Sequence, residues 1–154
     1  SILSHLETPA RDRALDDFYR RWQDEPLVLD KWFAVQARAA RPNAVETVRA
    51  LLSHPKFSLK NPNRIRALIG SFAQANPTGF NRADGEGYRL LAAQALEIDR
   101  FNPHMAARLL GAFESWRILE PPRRARAKAV LTELAGQALS TASYEIVTKT
   151  LDAA

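Results

Sequence analysis

The run from Asn61-Pro62 to Asn76-Pro77 limits the fold more than any other part of this sequence, because both ends of one helix are written into it. An Asn side chain can accept a hydrogen bond from the free N–H groups of a first helical turn, and a proline just after it sits where a missing N–H costs nothing. Ile65, Leu68, Ile69, Phe72 and Asn76 then follow the i, i+3, i+4, i+7 spacing that places side chains on one face, and Pro77 stops the run. A helix with such a stripe needs a core to face. Gly70, in its middle, costs about 1 kcal/mol relative to alanine, and close approach of a neighbouring helix would account for it.

The same period recurs along the chain. Pro9 to Gln23 carries Leu15, Phe18, Tyr19 and Trp22 on one face, and Asp24-Glu25-Pro26 breaks it. Residues 27–40 align Val28, Trp32, Val35 and Ala39, widened by Leu29 and Phe33, so two aromatic-rich faces are expected to pack together. Asn43 caps a short helix with Val45, Val48, Leu51 and Leu52, which ends at His54-Pro55, and the connector 56–60 is expected to fold Phe57 and Leu59 back on the core. Past the corner at Pro77, Asp84 caps a helix bearing Tyr88, Leu91, Ala95 and Ile98. Asn102-Pro103 repeats the earlier start and aligns Ala106, Leu109, Phe113 and Trp116. Ala127, Val130, Leu131 and Leu134 mark a helix ending near Gly136, and Ser140 or Thr141 caps a last one with Tyr144, Val147 and Leu151.

These are eight helices and no strand. Taken in pairs they begin near residues 9, 43, 84 and 121, spacings of roughly 34 to 41 that fall in the range of helix-pair solenoids. The expected fold is all-α, an irregular HEAT-like stack of antiparallel helices within a single domain, residues 1–154, with a compact helical bundle as the alternative.

Composition removes several function classes. With 46% hydrophobic residues the chain can bury one good core. It contains no cysteine, so disulfides and thiolate metal sites are excluded, and a cytoplasmic location is expected. No run approaches the roughly 20 apolar residues of a membrane span, and Ser1–Glu7 lacks the order of a signal peptide, so no membrane partner is expected. The net charge of +5 raises nucleic acid, but the arginines are spread widely. The one dense group, Arg123, Arg124, Arg126 and Lys128, points to different sides of a helix, so nucleic acid is not expected as a partner.

Catalytic and metal motifs are not found. His5, His54 and His104 stand far apart and outside any H-E-x-x-H frame, and read as turn or surface residues. No G-x-S-x-G occurs, and Asp84-Gly85-Glu86-Gly87 lacks the ligand positions of a calcium loop and reads as the start of a helix. Arg64 and Arg66 are less easily dismissed. They lie in the first turns of the Asn61 helix, where the macrodipole disfavours cations, on opposite flanks of the stripe. Two guanidinium forks beside free N–H groups could hold a carboxylate, or each could pair with an acidic residue of another helix or domain.

Four blocks in register give the chain a family resemblance: Asp30-Lys31-Trp32-Phe33, Val45-Glu46-Thr47-Val48-Arg49, Asn61-Pro62-Asn63-Arg64-Ile65-Arg66, and Phe80 with Asp84-Gly85, Gly87 and Tyr88. With these it resembles the C-terminal helical domain of bacterial aminopeptidase N, the alanyl aminopeptidases of the gluzincin class. From Met105 onward the likeness is looser. The resemblance implies a non-catalytic part of a zinc aminopeptidase that removes N-terminal amino acids from peptides. Its partners would be the catalytic domain of the same polypeptide, which it caps, and the peptides admitted to the enclosed chamber. No cofactor is expected in this portion, zinc belonging to the parent enzyme, and the chain alone should be inactive. Arg64 and Arg66 are then the candidate substrate-binding residues. A free-standing helical interaction module is the alternative.

Overall fold

A computed structural model describes residues 9–152. All regular structure among the described residues is helical. His5 and the expectations for Ser1–Glu7 lie outside those residues. The chain divides after Gly79 into two compact units.

In the first unit, α1 (Pro9–Trp22), α2 (Pro26–Arg38) and α3 (Ala44–Leu52) precede the Asn61 helix. That helix is α4 (Pro62–Ile65), a π-helical stretch (Arg66–Gly70) and α5 (Ser71–Ala75) in succession. The π stretch was not foreseen. Gly70 is its last residue and is buried, so the weak point of the sequence pattern coincides with the change of helical pitch. Ile65, Leu68, Ile69 and Phe72 are fully buried, against Leu29, Phe33 and Ala37 of α2 and Val45 and Val48 of α3, which are themselves in the core. Truncating a phenylalanine so placed costs about 3–5 kcal/mol.

Asn76 closes this unit. Its Nδ2 donates to the carbonyls of Ala37 (2.9 Å) and Ala39 (3.0 Å), and its Oδ1 accepts from the Gly79 N–H (3.1 Å). A residue that reads as the polar end of an apolar stripe thus satisfies the carbonyls at the end of α2. A side chain at Gly79 would meet the Ala44 Cβ at 3.0 Å, so this corner passes close to the start of α3. The aromatic faces of α1 and α2 meet as expected: Tyr19 lies 4.8 Å from Trp32, and the Trp32 indole N–H donates to the Leu15 carbonyl at 3.0 Å. Phe18 and Trp22, expected on the same covered face, are instead at the surface, 37% and 41% exposed, because the α1–α2 contact is made through Leu15 and Tyr19.

The single turn α6 (Pro77–Phe80) leads into the second unit, with α7 (Glu86–Asp99), α8 (Pro103–Leu110), α9 (Pro121–Ala135) and α10 (Thr141–Asp152). Here α7 packs on α8 and α9, and α10 packs on the same two helices. The helix expected to run through Trp116 stops at Leu110 and continues as two 3₁₀ turns, Gly111–Phe113 and Trp116–Ile118. Phe113 and Trp116 are still buried, Phe113 against Phe80 and Tyr88 with ring centroids 5.4 and 5.9 Å away. In α10 the inner face is Ser143, Val147 and Thr150, while Tyr144 is half exposed.

Candidate functional site

The start of α4 is built as the sequence implies. Asn61 Oδ1 accepts from the Arg64 N–H at 3.2 Å, and Pro62 occupies the first turn. The two arginines two residues apart then diverge. Arg64 turns inward and is 7% exposed. Its Nε donates to Asp30 Oδ1 of α2 at 2.6 Å, its Nη1 donates to the Lys56 carbonyl, and its guanidinium carbon lies 5.6 Å from the centre of the Phe33 ring. The connector wraps around it, because the Lys56 N–H also donates to His54 Nδ1 at 3.0 Å.

Those contacts explain how a cation is tolerated against the helix dipole. A charge-assisted hydrogen bond to a carboxylate is about twice as strong as a neutral one, and a dipole penalty of a few tenths of a kcal/mol to about 1 is easily outweighed. His54 stands edge-on to Tyr19 and Phe33, 5.1 and 5.5 Å away. Burial pushes its pKa below the ordinary value, and the nearby Lys56 and Arg64 charges add to this, in the direction that suits an Nδ1 accepting a hydrogen bond.

Arg66 goes the other way. It is exposed, and among the described residues its side chain makes one hydrogen bond, from Nη1 to Asn63 Oδ1 at 2.9 Å. The two guanidinium groups therefore do not converge on one carboxylate. Arg64 already has one, and Arg66 offers its remaining donors to solvent.

The second unit has its own charged helix start. Gly85 takes a left-handed φ of 78° ahead of α7, and a Cβ there would lie 3.1 Å from the Arg126 side chain. Asp84, one residue earlier than the cap, accepts from the Glu86 N–H at 3.0 Å and from Arg82 at 2.9 and 3.0 Å, and these Arg82 bonds hold its carboxyl below the usual range. Tyr88 donates its hydroxyl to Asn81 Oδ1 at 2.7 Å, and burial pushes its pKa up to about 12. The Asp84–Gly87 segment thus forms the start of α7.

The basic group on α9 separates as its spacing predicts. Arg123 reaches the Asn81 carbonyl at 2.6 Å and Arg126 the Asp84 carbonyl at 3.4 Å, whereas Arg124 and Lys128 face away from both. Sequence reasoning missed Asp99. This carboxylate, 6% exposed at the end of α7, accepts from the Ser140 N–H (2.7 Å) and from the hydroxyls of Ser140 and Ser143 (both 2.6 Å). Burial pushes its pKa up, but the three hydrogen bonds outweigh burial and leave it below the ordinary value. Its only sequence signal is an acidic residue one step past the apolar Ile98, facing a Ser-rich helix start. Among the described residues no three His, Cys, Asp or Glu side chains lie close enough to hold a metal ion, and no helix is long and apolar enough to cross a membrane.

The helices and their packing within each unit are those of a helical repeat domain. Residues 1–152 match the family described as a domain of unknown function, DUF3458_C, of ARM repeats, and the chain belongs to it. Over 111 residues, 72% of this chain, it is 50% identical to aminopeptidase N of Caulobacter vibrioides, and over 146 residues, 94% of the chain, it is 39% identical to aminopeptidase N of Escherichia coli. It spans only 13% and 17% of those two proteins. The crystal structure of Legionella pneumophila aminopeptidase A in complex with aspartic acid superposes with a TM-score of 0.92 at 35% identity, over 99% of this chain and 18% of that one.

Proposed function

We propose that this chain, residues 1–154, serves as the non-catalytic C-terminal domain of a zinc aminopeptidase, capping the catalytic domain and shaping the chamber that admits peptides. The observation that carries the reading is the likeness to two aminopeptidases N at 39% and 50% identity, each several times longer than this chain. Zinc and the water it activates would belong to the rest of the polypeptide, as the resemblance to aminopeptidase N implies. The four sequence blocks that carry the resemblance fit a supporting role. Asp30, Trp32, Phe33, Asn61 and Arg64 assemble one polar and aromatic knot, Phe80 and Tyr88 stack edge to face, and Gly85 lies against Arg126.

Arg64 and Arg66 divide the proposed substrate role. Arg66 contacts the C-terminal carboxylate or carbonyls of a bound peptide, and Arg64 acts by holding the helix start that presents it. In the full-length enzyme, Arg66→Ala should raise KM for peptides several-fold while leaving KM for single aminoacyl amides unchanged, as expected for loss of binding remote from the reacting bond. An equal change for both substrates, or none for either, would reject this role.

A further inference from the structure

The outer side of α9 and the turn before it form a concavity of about 440 Å³ lined by Trp116, Arg117, Pro121, Arg124, Ala125 and Lys128. Three of its six lining residues are cations and none is acidic. Arg124 and Lys128 are exposed, one helical turn apart, and neither side chain has an ion-pair or hydrogen-bond partner among the described residues. Elsewhere on α9, Arg123 is satisfied by Glu120 and the Asn81 carbonyl. Arg126, without a carboxylate partner, reaches the Asp84 carbonyl instead, so Arg124 and Lys128 are the α9 cations whose side chains make no bond among the described residues. The guanidinium of Arg117 stacks 4.6 Å from the centre of the Trp116 ring and donates to the Leu151 carbonyl, which fixes it at the edge of the hollow. Next to it, Ile118 projects with 86% of its surface exposed.

We infer that this concavity binds a peptide segment bearing carboxylates at helical or near-helical spacing beside an aliphatic side chain. The carboxylates meet Arg124 and Lys128, with Arg117 as a third donor fork, and the aliphatic group rests against Ile118 and the Pro121–Ala125 floor. Charge complementarity alone would also admit nucleic acid. A base, however, needs an open aromatic face on which to stack, and Trp116 is 4% exposed with Arg117 over its ring. Ile118, exposed beside the cations, favours an acidic peptide that also carries an aliphatic side chain. The inference concerns binding by this chain and does not depend on Arg66 or on the aminopeptidase reading.

The test is fluorescence anisotropy of a labelled Glu/Leu peptide with Glu at i and i+4 and Leu beside them, against the 154-residue chain at low and moderate salt. Saturable binding is expected, weakened by salt, with Arg124→Glu/Lys128→Glu reducing affinity by roughly tenfold or more through like-charge repulsion. Arg13→Glu/Arg21→Glu on α1 changes net charge equally and should leave binding nearly intact, with circular dichroism verifying that both variants are folded. Ile118→Ser should weaken the Glu/Leu peptide and not an all-Glu one. No binding, equal loss in both double variants, or tighter binding of a single-stranded oligonucleotide than of the acidic peptide would each overturn the inference.

Discussion

Two helices in this molecule start with the same device and bury opposite chemistry behind it. Asn61-Pro62 and Asn102-Pro103 each place an asparagine whose Oδ1 accepts, at 3.2 Å, from the N–H three residues on. In the first unit that third residue is Arg64, 7% exposed, and in the second it is Met105, 5% exposed. Cap geometry is local and indifferent to the side chain it precedes. The residue behind the cap is matched to the neighbouring helix, which in the first unit supplies Asp30, whereas the second unit buries its charge at Asp99, where a different helix start supplies the donors.

The largest effect expected from breaking this comparison is at Asp30. Asp30→Ala leaves the Arg64 guanidinium buried without a counter-charge, which typically costs about 3–5 kcal/mol. Replacing both partners, Asp30→Leu with Arg64→Met, makes the first unit resemble the second and should recover most of that loss, because two desolvated charges are removed together. Urea unfolding of the three proteins measures it. A cost below about 1 kcal/mol for Asp30→Ala would mean that the pair is effectively solvent-screened.

The second unit should respond next, and at a different pH. Asp99→Asn turns an amide N–H₂ toward three donors and should cost about 1–3 kcal/mol. Because the folded pKa of Asp99 is depressed, its stabilisation is complete above the unfolded value near 3.8 and is lost as pH falls through the carboxylate range. His54 in the first unit is also depressed, from 6.5. The unfolded chain therefore takes up that proton first, and the first unit loses stability as pH falls below about 6.5. Fluorescence of Trp22 and Trp32 in a Trp116→Phe background, against Trp116 with Trp22 and Trp32 replaced, separates the two units. His54→Gln should abolish the slope near neutrality in the first unit alone, and a slope of equal size in both would contradict the assignment.

The pattern of these contacts also explains what was legible in the sequence. Helix positions, the caps at Asn61 and Asn102 and the stripe from Ile65 to Asn76 could be read because they depend on residues within a turn or two of one another. The partners of Arg64 and Asp99 are 34 and 41 residues away in sequence, and nothing local says that Asp30 and not another acidic residue will be adjacent. That is why Arg64 and Arg66 look equivalent in the sequence and are not. The π stretch was hinted at only by Gly70, and the exposure of Phe18 and Trp22 was not readable at all, since their spacing suits a covered face. The family resemblance reads well in part for a related reason, since two of its blocks hold Arg64 and Asp30, which form one of these long-range pairs.

The smallest expected effect sharpens the comparison most. If cap and buried charge are independent, Asn61→Ala and Asn102→Ala should each cost about 1 kcal/mol and agree within about 0.5, since each loses one side-chain bond to the first turn. If Arg64 depends on the cap to aim it at Asp30, the loss at Asn61 will exceed that at Asn102, and the excess will vanish in the Asp30→Leu/Arg64→Met background. A double-mutant cycle between Asn61→Ala and Asp30→Ala reads this coupling directly. Equal single costs with zero coupling would show that the two helix starts differ only in what they bury; a positive coupling would show that the cap of α4 has been recruited to orient a charge, which the cap of α8 has no cause to do.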